Sequence, residues 1–368
     1  MKKKIIIVSS NRADLGLLSP IIIGAKKKFD LELILTGSHF IKEFGKTANI
    51  AKKIITNFTK INIGSNFQNE INTLSAVSLS IKSFSKYLSR KNFDFIILLG
   101  DRFEIFSVAI CAYILRKKII HIHGGETTLN AMDNAFRNSI SHMAKYHFVI
   151  HEEYKKKLIN YGINSKEIFN FGSLGAYNSK KMKLYSNDYI RKKLKINNLN
   201  SIITISYHPE TLKEDFGIKN FAKIFDSVKY LKNYNLIILE PNMDPKYDRI
   251  SKFINTYFRK LKNAYIFKSL DHISYLSLLK YSEILIGNSS SGIIETPSFK
   301  LPFINIGKRQ LGRINSRNVI SINDISKLNK NIKYALSKKF KKKLSKMKNP
   351  FYKENTVKNI LEKIEKIR

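Results

Sequence analysis

The chain has 368 residues, 43% of them hydrophobic, enough to bury a large core and long enough for two domains rather than one. No apolar run approaches the roughly 20 residues of a membrane span, and "MKKKIIIVSSNRADLG" has too short an apolar stretch for a signal peptide, so a cytoplasmic protein without a membrane partner is expected. The formal charge of +38 comes from lysines spread end to end, with no basic module interleaved with aromatics, so the reading is no nucleic-acid partner and at most attraction for an anionic small substrate.

In chain order, β-rich runs appear as "KIIIVSS", "LELILTG", "FDFIILLG", "KKIIHIHG" and "YHFVIHE", then "SIITISYH", "YNLIILE", "NAYIFKS", "SEILIGNS" and "LPFINIG". Segments of helical period, such as "EIFSVAICAYILRK" and "DHISYLSLLKYS", separate them. Strands that are apolar throughout and alternate with helices imply parallel sheets covered on both faces. The series pauses in "YNSKKMKLYSNDYIRKKLKINNLN", which predicts an N-terminal domain over 1–180 and a C-terminal domain over 181–368, the last helix packing back on the former. The run "KKFKKKLSKMKNP" from Lys338 reads as a solvated helix face, and the single Cys111, inside "FSVAICAYIL", as a buried structural thiol.

Open parallel sheets bind ligands beyond the carboxyl ends of their strands, and a two-domain version should bind in the cleft between its halves. Strand ends here carry Asp101, Arg102 and Glu104 in "LLGDRFE", His121, His123 and Glu126 in "HIHGGE", and His208 and Glu210 in "SYHPE". No GxGxxG follows the first strand, so a nicotinamide enzyme is disfavoured. "GNSSSGIIETPSFKLPFINIG" ends another strand with small residues and one acid. A helix opening near Ser291 would leave backbone N–H groups flanked by the hydroxyls of Ser289, Ser290 and Ser291, with Gly292 allowing close approach, which makes a phosphate site. Glu295, one turn on, can accept the two vicinal hydroxyls of a ribose, and Pro297 should keep this helix short or kinked. The plainer alternative is helix capping by Ser289 or Ser290.

"LGDRFEIFSVAI", "IHIHGGETTLNAMDNAFRNSI", "FNFGSLGAYN", "YHPET" and "IGNSSSGIIETPSFKLPFINIGKRQLGR" stand in this order and together resemble the hydrolysing UDP-N-acetylglucosamine 2-epimerases of the sialic-acid and legionaminic-acid branch. The resemblance spans nearly the whole chain. It implies an α/β, glycosyltransferase-B-like fold, two Rossmann-type domains with parallel sheets facing a central cleft, and a nucleotide-sugar substrate carried on UDP or GDP. The implied reaction is anti elimination of the nucleoside diphosphate to a glycal, followed by hydration to a free manno-configured sugar, with no metal and no cofactor. It further implies a cytoplasmic homodimer or homotetramer.

Matched motif to motif, Asp101 and Asp133 correspond to proton-transferring acids, Arg102 to a substrate contact and His208 to a histidine that meets the leaving diphosphate. Ser289, Ser290, Glu295 and Arg309 correspond to the nucleotide's holders, and Arg12 to an arginine near the phosphates. Many relatives have glutamate at the third position of "HIxGG"; here His123 stands there and the nearest acid is Glu126, so either fills that role. Some relatives carry an acid after the aspartate matched by Asp133, where this chain has Asn134. His39 is a weaker candidate for a sugar contact, and Arg313 and Arg317 either close over the ligand or are solvated loop cations. His121 reads as a packed core histidine, and His142, His147, His151 and His272 as structural. No metal site is expected, His121 being read as a packed core histidine and His123, beside Gly124 and Gly125, as the freer one. The rivals are a glycosyltransferase-B enzyme with a nucleotide-sugar donor and a binding-only protein on the same scaffold.

Overall fold

The computed structural model describes residues 2–41, 47–64, 67, 69–242 and 244–367. The chain forms two compact units, one of Met1–Glu126, Met132–Asn178 and Phe351–Arg368, the other of Thr127–Ala131 and Ser179–Pro350. The first holds strands β1 (Lys4–Ser9), β2 (Asp30–Leu35), β3 (Thr59–Lys60), β4 (Phe95–Leu99), β5 (Ile119–Ile122), β6 (Tyr146–Val149) and β7 (Ile168–Asn170). The second holds β8 (Ser201–Ser206), β9 (Tyr234–Leu239), β10 (Ala264–Phe267), β11 (Ser282–Gly287), β12 (Phe303–Ile306) and β13 (Val319–Ile322).

Both sheets are parallel throughout the pairings observed, ordered β3-β2-β1-β4-β5-β6-β7 and β10-β9-β8-β11-β12-β13. Strand order reverses beside β1 in one and beside β8 in the other, the switch points at which strand ends open a crevice. Isoleucine-rich sequence makes these strands because β-branched side chains suit a pleated surface, and burial on both faces removes any need for alternation. Phe95 to Leu99 are buried without a break. All ten strand runs expected from the sequence are present; the unforeseen three, β3, β7 and β13, end their sheets and are only two to four residues long. Among the described residues no helix is long and apolar enough to cross a membrane.

The last helix, Thr356–Lys366, buries Val357, Ile360, Leu361 and Ile364, a spacing that puts one apolar stripe on one face. That stripe joins the first unit's core with Ile5, Leu18 and Ile22. Gly24 is what admits it: a Cβ there would stand 2.4 Å from Leu361 Cδ1. Lys3 Nζ donates to the carbonyls of Ile364 (3.0 Å), Glu365 (2.7 Å) and Ile367, placing a cation on the negative end of the helix. Leu361→Ala should cost about 3 kcal/mol through lost transfer energy and the cavity left against Gly24; equilibrium denaturation in urea measures it.

Candidate active site

In the first unit the site is built on the ends of β1, β4 and β5. Beyond β1, Asn11 caps the helix Arg12–Lys28 by accepting the Asp14 N–H (3.0 Å), while Ser10 Oγ (2.7 Å) and Asn11 Nδ2 (2.8 Å) hold the Asp14 carboxylate. Arg12 is therefore delivered as the first residue of a well-capped helix. His39 lies in the short turn Gly37–Phe40, wholly buried, with Nε2 on Ser9 Oγ (2.9 Å) and Nδ1 on Thr47 Oγ1 (2.7 Å). The expected sugar contact at His39 is thus corrected: both ring nitrogens are spent on pinning the turn to the end of β1, and none of the ring reaches the surface.

After β4, Arg102 donates through Nε to both oxygens of Glu104 (3.1 and 3.3 Å). Glu104 is 1% exposed, and burial pushes its carboxyl up while the Arg102 guanidinium pulls the other way. Beyond β5, His121 is the packed histidine the strand pattern suggested, with Nε2 to the Gly100 carbonyl (2.7 Å) and Nδ1 to Ser141 Oγ (3.0 Å). His123 takes a left-handed backbone at φ 70 and sets Nδ1 2.7 Å from Glu126 Oε1. Asp133 opens the helix Asp133–Met143 and rides on the positive end of its dipole. One turn on, Arg137 is 2% exposed, donating to the Glu126 carbonyl (3.1 Å) and pairing with Asp101. Lys157 Nζ reaches the same carbonyl (3.4 Å); burial first, then Arg137, holds its ammonium below the usual lysine range. The structure thus links Asp101, Glu126 and His123 into one network through Arg137.

In the second unit the ends of β8 and β11 are stapled. Asn288 Oδ1 accepts the His208 N–H (2.7 Å) and its Nδ2 donates to the His208 carbonyl (2.8 Å). Asn242 N donates to His208 Nδ1 (3.3 Å), so the ring orientation is set. Gln310 Nε2 (2.8 Å) and Arg309 Nη1 (3.4 Å) both donate to the Asn288 carbonyl, and Arg309 Nη2 lies 3.8 Å from Asp244. Glu210 is structural: buried, it accepts from Tyr207 Oη (2.6 Å), Asn220 Nδ2 (3.1 Å) and Lys308 N (3.0 Å).

The serine turn follows the expected path, β11 stopping at Gly287 and a helix running only Ser291–Ile294 before a tighter turn at Thr296–Phe299. Ser290 makes no side-chain cap bond, but Ser289 Oγ accepts the Ser291 N–H at 3.4 Å and reaches Ser291 Oγ at 3.3 Å, so of the two capping candidates Ser289 alone meets a backbone donor of the turn. Glu295 is buried at the junction of the two turns. Gly292 needs correction. Its N–H already donates to the Ser289 carbonyl (3.1 Å), and a Cβ would stand 2.4 Å from the Phe303 ring. This glycine serves helix-on-strand packing rather than the approach of an anion. Arg313 is half-buried and Arg317 exposed.

Arg137, Asn288, Gln310 and Asp244 carry this geometry and were not singled out by sequence. Arg137 had a signal, an arginine one helical turn after a candidate acid. Among the described residues no group of three or more His, Cys, Asp or Glu could hold a metal ion.

A profile of the UDP-N-acetylglucosamine 2-epimerase family matches residues 22–365. The hydrolysing GDP/UDP-N,N'-diacetylbacillosamine 2-epimerase of Campylobacter jejuni is 37% identical over 343 residues, 92% of this chain and 89% of that one. The chain belongs to the UDP-N-acetylglucosamine 2-epimerase family, in its hydrolysing branch. This epimerase is also 34% identical to the polysialic acid biosynthesis protein P7 of Escherichia coli, over 97% of this chain and 92% of that one. The UDP-N-acetylglucosamine 2-epimerase of Neisseria meningitidis, solved with UDP-GlcNAc bound, superimposes with a TM-score of 0.82 at 17% identity, covering 99% of this chain and 100% of that one. Likeness at that identity speaks for the fold: the epimerase is α/β and glycosyltransferase-B-like, with two Rossmann-type parallel-sheet domains.

Burial lowers His39 to about 3, His121 to about 4 and His147 to about 3. All three stay neutral in the fold while an unfolded histidine takes a proton near pH 6.5. Above that pH neither state binds a proton and stability is flat; below it the unfolded chain binds more, so stability falls as pH drops toward 4. At pH 5 each histidine should weaken the fold by about 2 kcal/mol, seen as a falling melting temperature from pH 7 to 5.

Proposed function

We propose that this epimerase acts on a UDP- or GDP-linked 2-acetamido sugar, releasing the nucleoside diphosphate and the free sugar with inverted C2, either N-acetylmannosamine or 2,4-diacetamido-2,4,6-trideoxymannose, for nonulosonic acid biosynthesis in the cytoplasm. What carries the reading is the pairing of function with position: proton-moving groups on the strand ends of the first unit, anion-holding groups on those of the second. Two relatives, of Campylobacter jejuni and Legionella pneumophila, are diacetylbacillosamine 2-epimerases by name, which puts those donors first among those to try.

In this reading Ser289, Ser290 and Ser291 offer hydroxyls to the diphosphate, Glu295 accepts the ribose hydroxyls, and Arg12, Arg309 and Arg313 supply positive charge. His208 meets the departing diphosphate. Arg102, steadied by Glu104, contacts the substrate, and Asp101, Asp133 and the His123–Glu126 pair manage protons at C2, whose weak acidity demands a positioned base. Leaving-group stabilisation and proton abstraction are each worth several kcal/mol of barrier, and neither needs a metal or cofactor here. Proton NMR in deuterated water should show nucleoside diphosphate and a C2-deuterated, C2-inverted sugar released without any acceptor; release of diphosphate with C2 configuration and proton retained would refute it.

A second copy of the chain is the partner we propose, giving a homodimer or a homotetramer built on it. Two neighbouring helices, Glu70–Leu88 and Phe103–Ile114, leave Ile71 (70%), Leu74 (63%), Tyr113 (58%) and Ile114 (71%) exposed. In a chain with 66 Lys and Arg, the stretch 103–114 has none, an uncharged face that a like face can cover without charge repulsion. Leu74→Lys with Ile114→Lys should shift the mass in sedimentation to that of a single chain, while unchanged mass would sink the assignment.

A further inference from the structure

We infer that His123, through Nε2, is the base that removes the C2 proton, and that Glu126 is its positioning residue rather than the base. The inference rests on the epimerase reading above and decides which of the two groups beyond β5 does the chemistry.

Nδ1 lies 2.7 Å from Glu126 Oε1, an ion-pair contact in which the negative carboxylate favours the tautomer with its proton on Nδ1. The neutral ring then carries its lone pair on Nε2. That atom is buried and has no hydrogen-bond partner among the described residues. The nearby histidines differ. His39 and His121 each spend both nitrogens on the protein, as packed histidines do; His147, at 0% exposure on β6, leaves both ring nitrogens without a hydrogen-bond partner but has no carboxylate among its described ion pairs. His123 keeps one nitrogen against a carboxylate, the other buried without a hydrogen-bond partner, and about a tenth of its side chain exposed. A buried acceptor left unmet costs free energy unless a ligand satisfies it.

The backbone is set for this. A non-glycine residue at φ 70 is costly, and the chain on either side cannot relax it: a Cβ on Gly124 would meet the His121 ring at 3.0 Å, and one on Gly125 the Tyr154 carbonyl at 2.5 Å. Arg137 and Lys157 hold the Glu126 carbonyl, so the carboxylate that orients the ring is itself held. Asp101 has the Arg137 guanidinium as its partner.

The step balances. Nε2 takes the proton from C2, the C2–H electron pair becomes the C1=C2 bond of the glycal, and the C1–O pair leaves with the diphosphate. Glu126 stabilises the imidazolium, which then yields its proton to water before the glycal is hydrated.

Glycine accepts φ 70, so His123→Gly should fold with an unchanged or higher melting temperature. Its kcat should fall about 10²- to 10⁴-fold with KM changed less than about threefold, and imidazole in the buffer should restore part of the rate. In ¹⁵N NMR the wild-type ring should be protonated at Nδ1 alone, and Glu126→Gln should lose that single tautomer and lower kcat more than KM. A His123→Gly enzyme within about threefold of wild-type kcat, or a wild-type ring protonated at Nε2, overturns the inference. Wild type that inverts no donor at C2 overturns the epimerase reading instead, and the tautomer measurement tells the two failures apart.

Discussion

A guanidinium taken out of water has to be met by charge and by hydrogen-bond acceptors, or the fold that buries it is lost. Arg137, at 2% exposure, is met by the Asp101 carboxylate from the end of β4 and by the Glu126 carbonyl from the loop after β5. Two strand ends that the sheet alone would leave free to splay are thereby fixed to one side chain. Everything chemical in the first unit follows from that tie. The loop that carries Glu126 is positioned by it, Glu126 orients His123, and Asp133 begins the helix that delivers the arginine. Replacing a member of such a set leaves a buried charge behind, so the residues are coupled in energy as well as in chemistry.

The second unit solves the same problem without charge. Asn288 joins the end of β11 to the end of β8 through two amide hydrogen bonds, and its own carbonyl gathers Gln310 and Arg309. An amide can satisfy a backbone N–H and a backbone carbonyl at once, which no carboxylate or guanidinium can do. Gly287 completes the junction: at φ 144 its missing Cβ would otherwise stand 1.9 Å from the Ser206 carbonyl oxygen. The serine turn is therefore aimed mainly by neutral amide groups.

The strand runs along the chain were legible because a buried parallel strand writes itself as an unbroken Ile, Leu and Val run. The edge strands were not, since two to four residues at the rim of a sheet leave no periodic trace. Asp101, His123, Glu126 and His208 announced themselves by following such runs directly. Arg137 and Asn288 did not, because their value depends on which strands become neighbours in space, and sequence spacing carries none of that. His39 and Gly292 misled for the same reason. A histidine or glycine in a loop-like string looks available, and only the packing around Ser9, Thr47 and Phe303 reveals that each is already spent. The inclusion of Thr127–Ala131 in the second unit, with Leu129 N–H donating to the Leu311 carbonyl, had no signal in composition at all.

The helix Thr356–Lys366 closes the core begun by β1, so segments far apart in sequence lie in one hydrophobic cluster. Synthesis on a ribosome runs in one direction. The second unit, Thr127–Ala131 with Ser179–Pro350, has been made in full while the first still waits for its final apolar stripe. The unit that holds β1 is therefore completed only after the other has been made, and a stop codon placed just before Thr356 would strip its sheet of this cover.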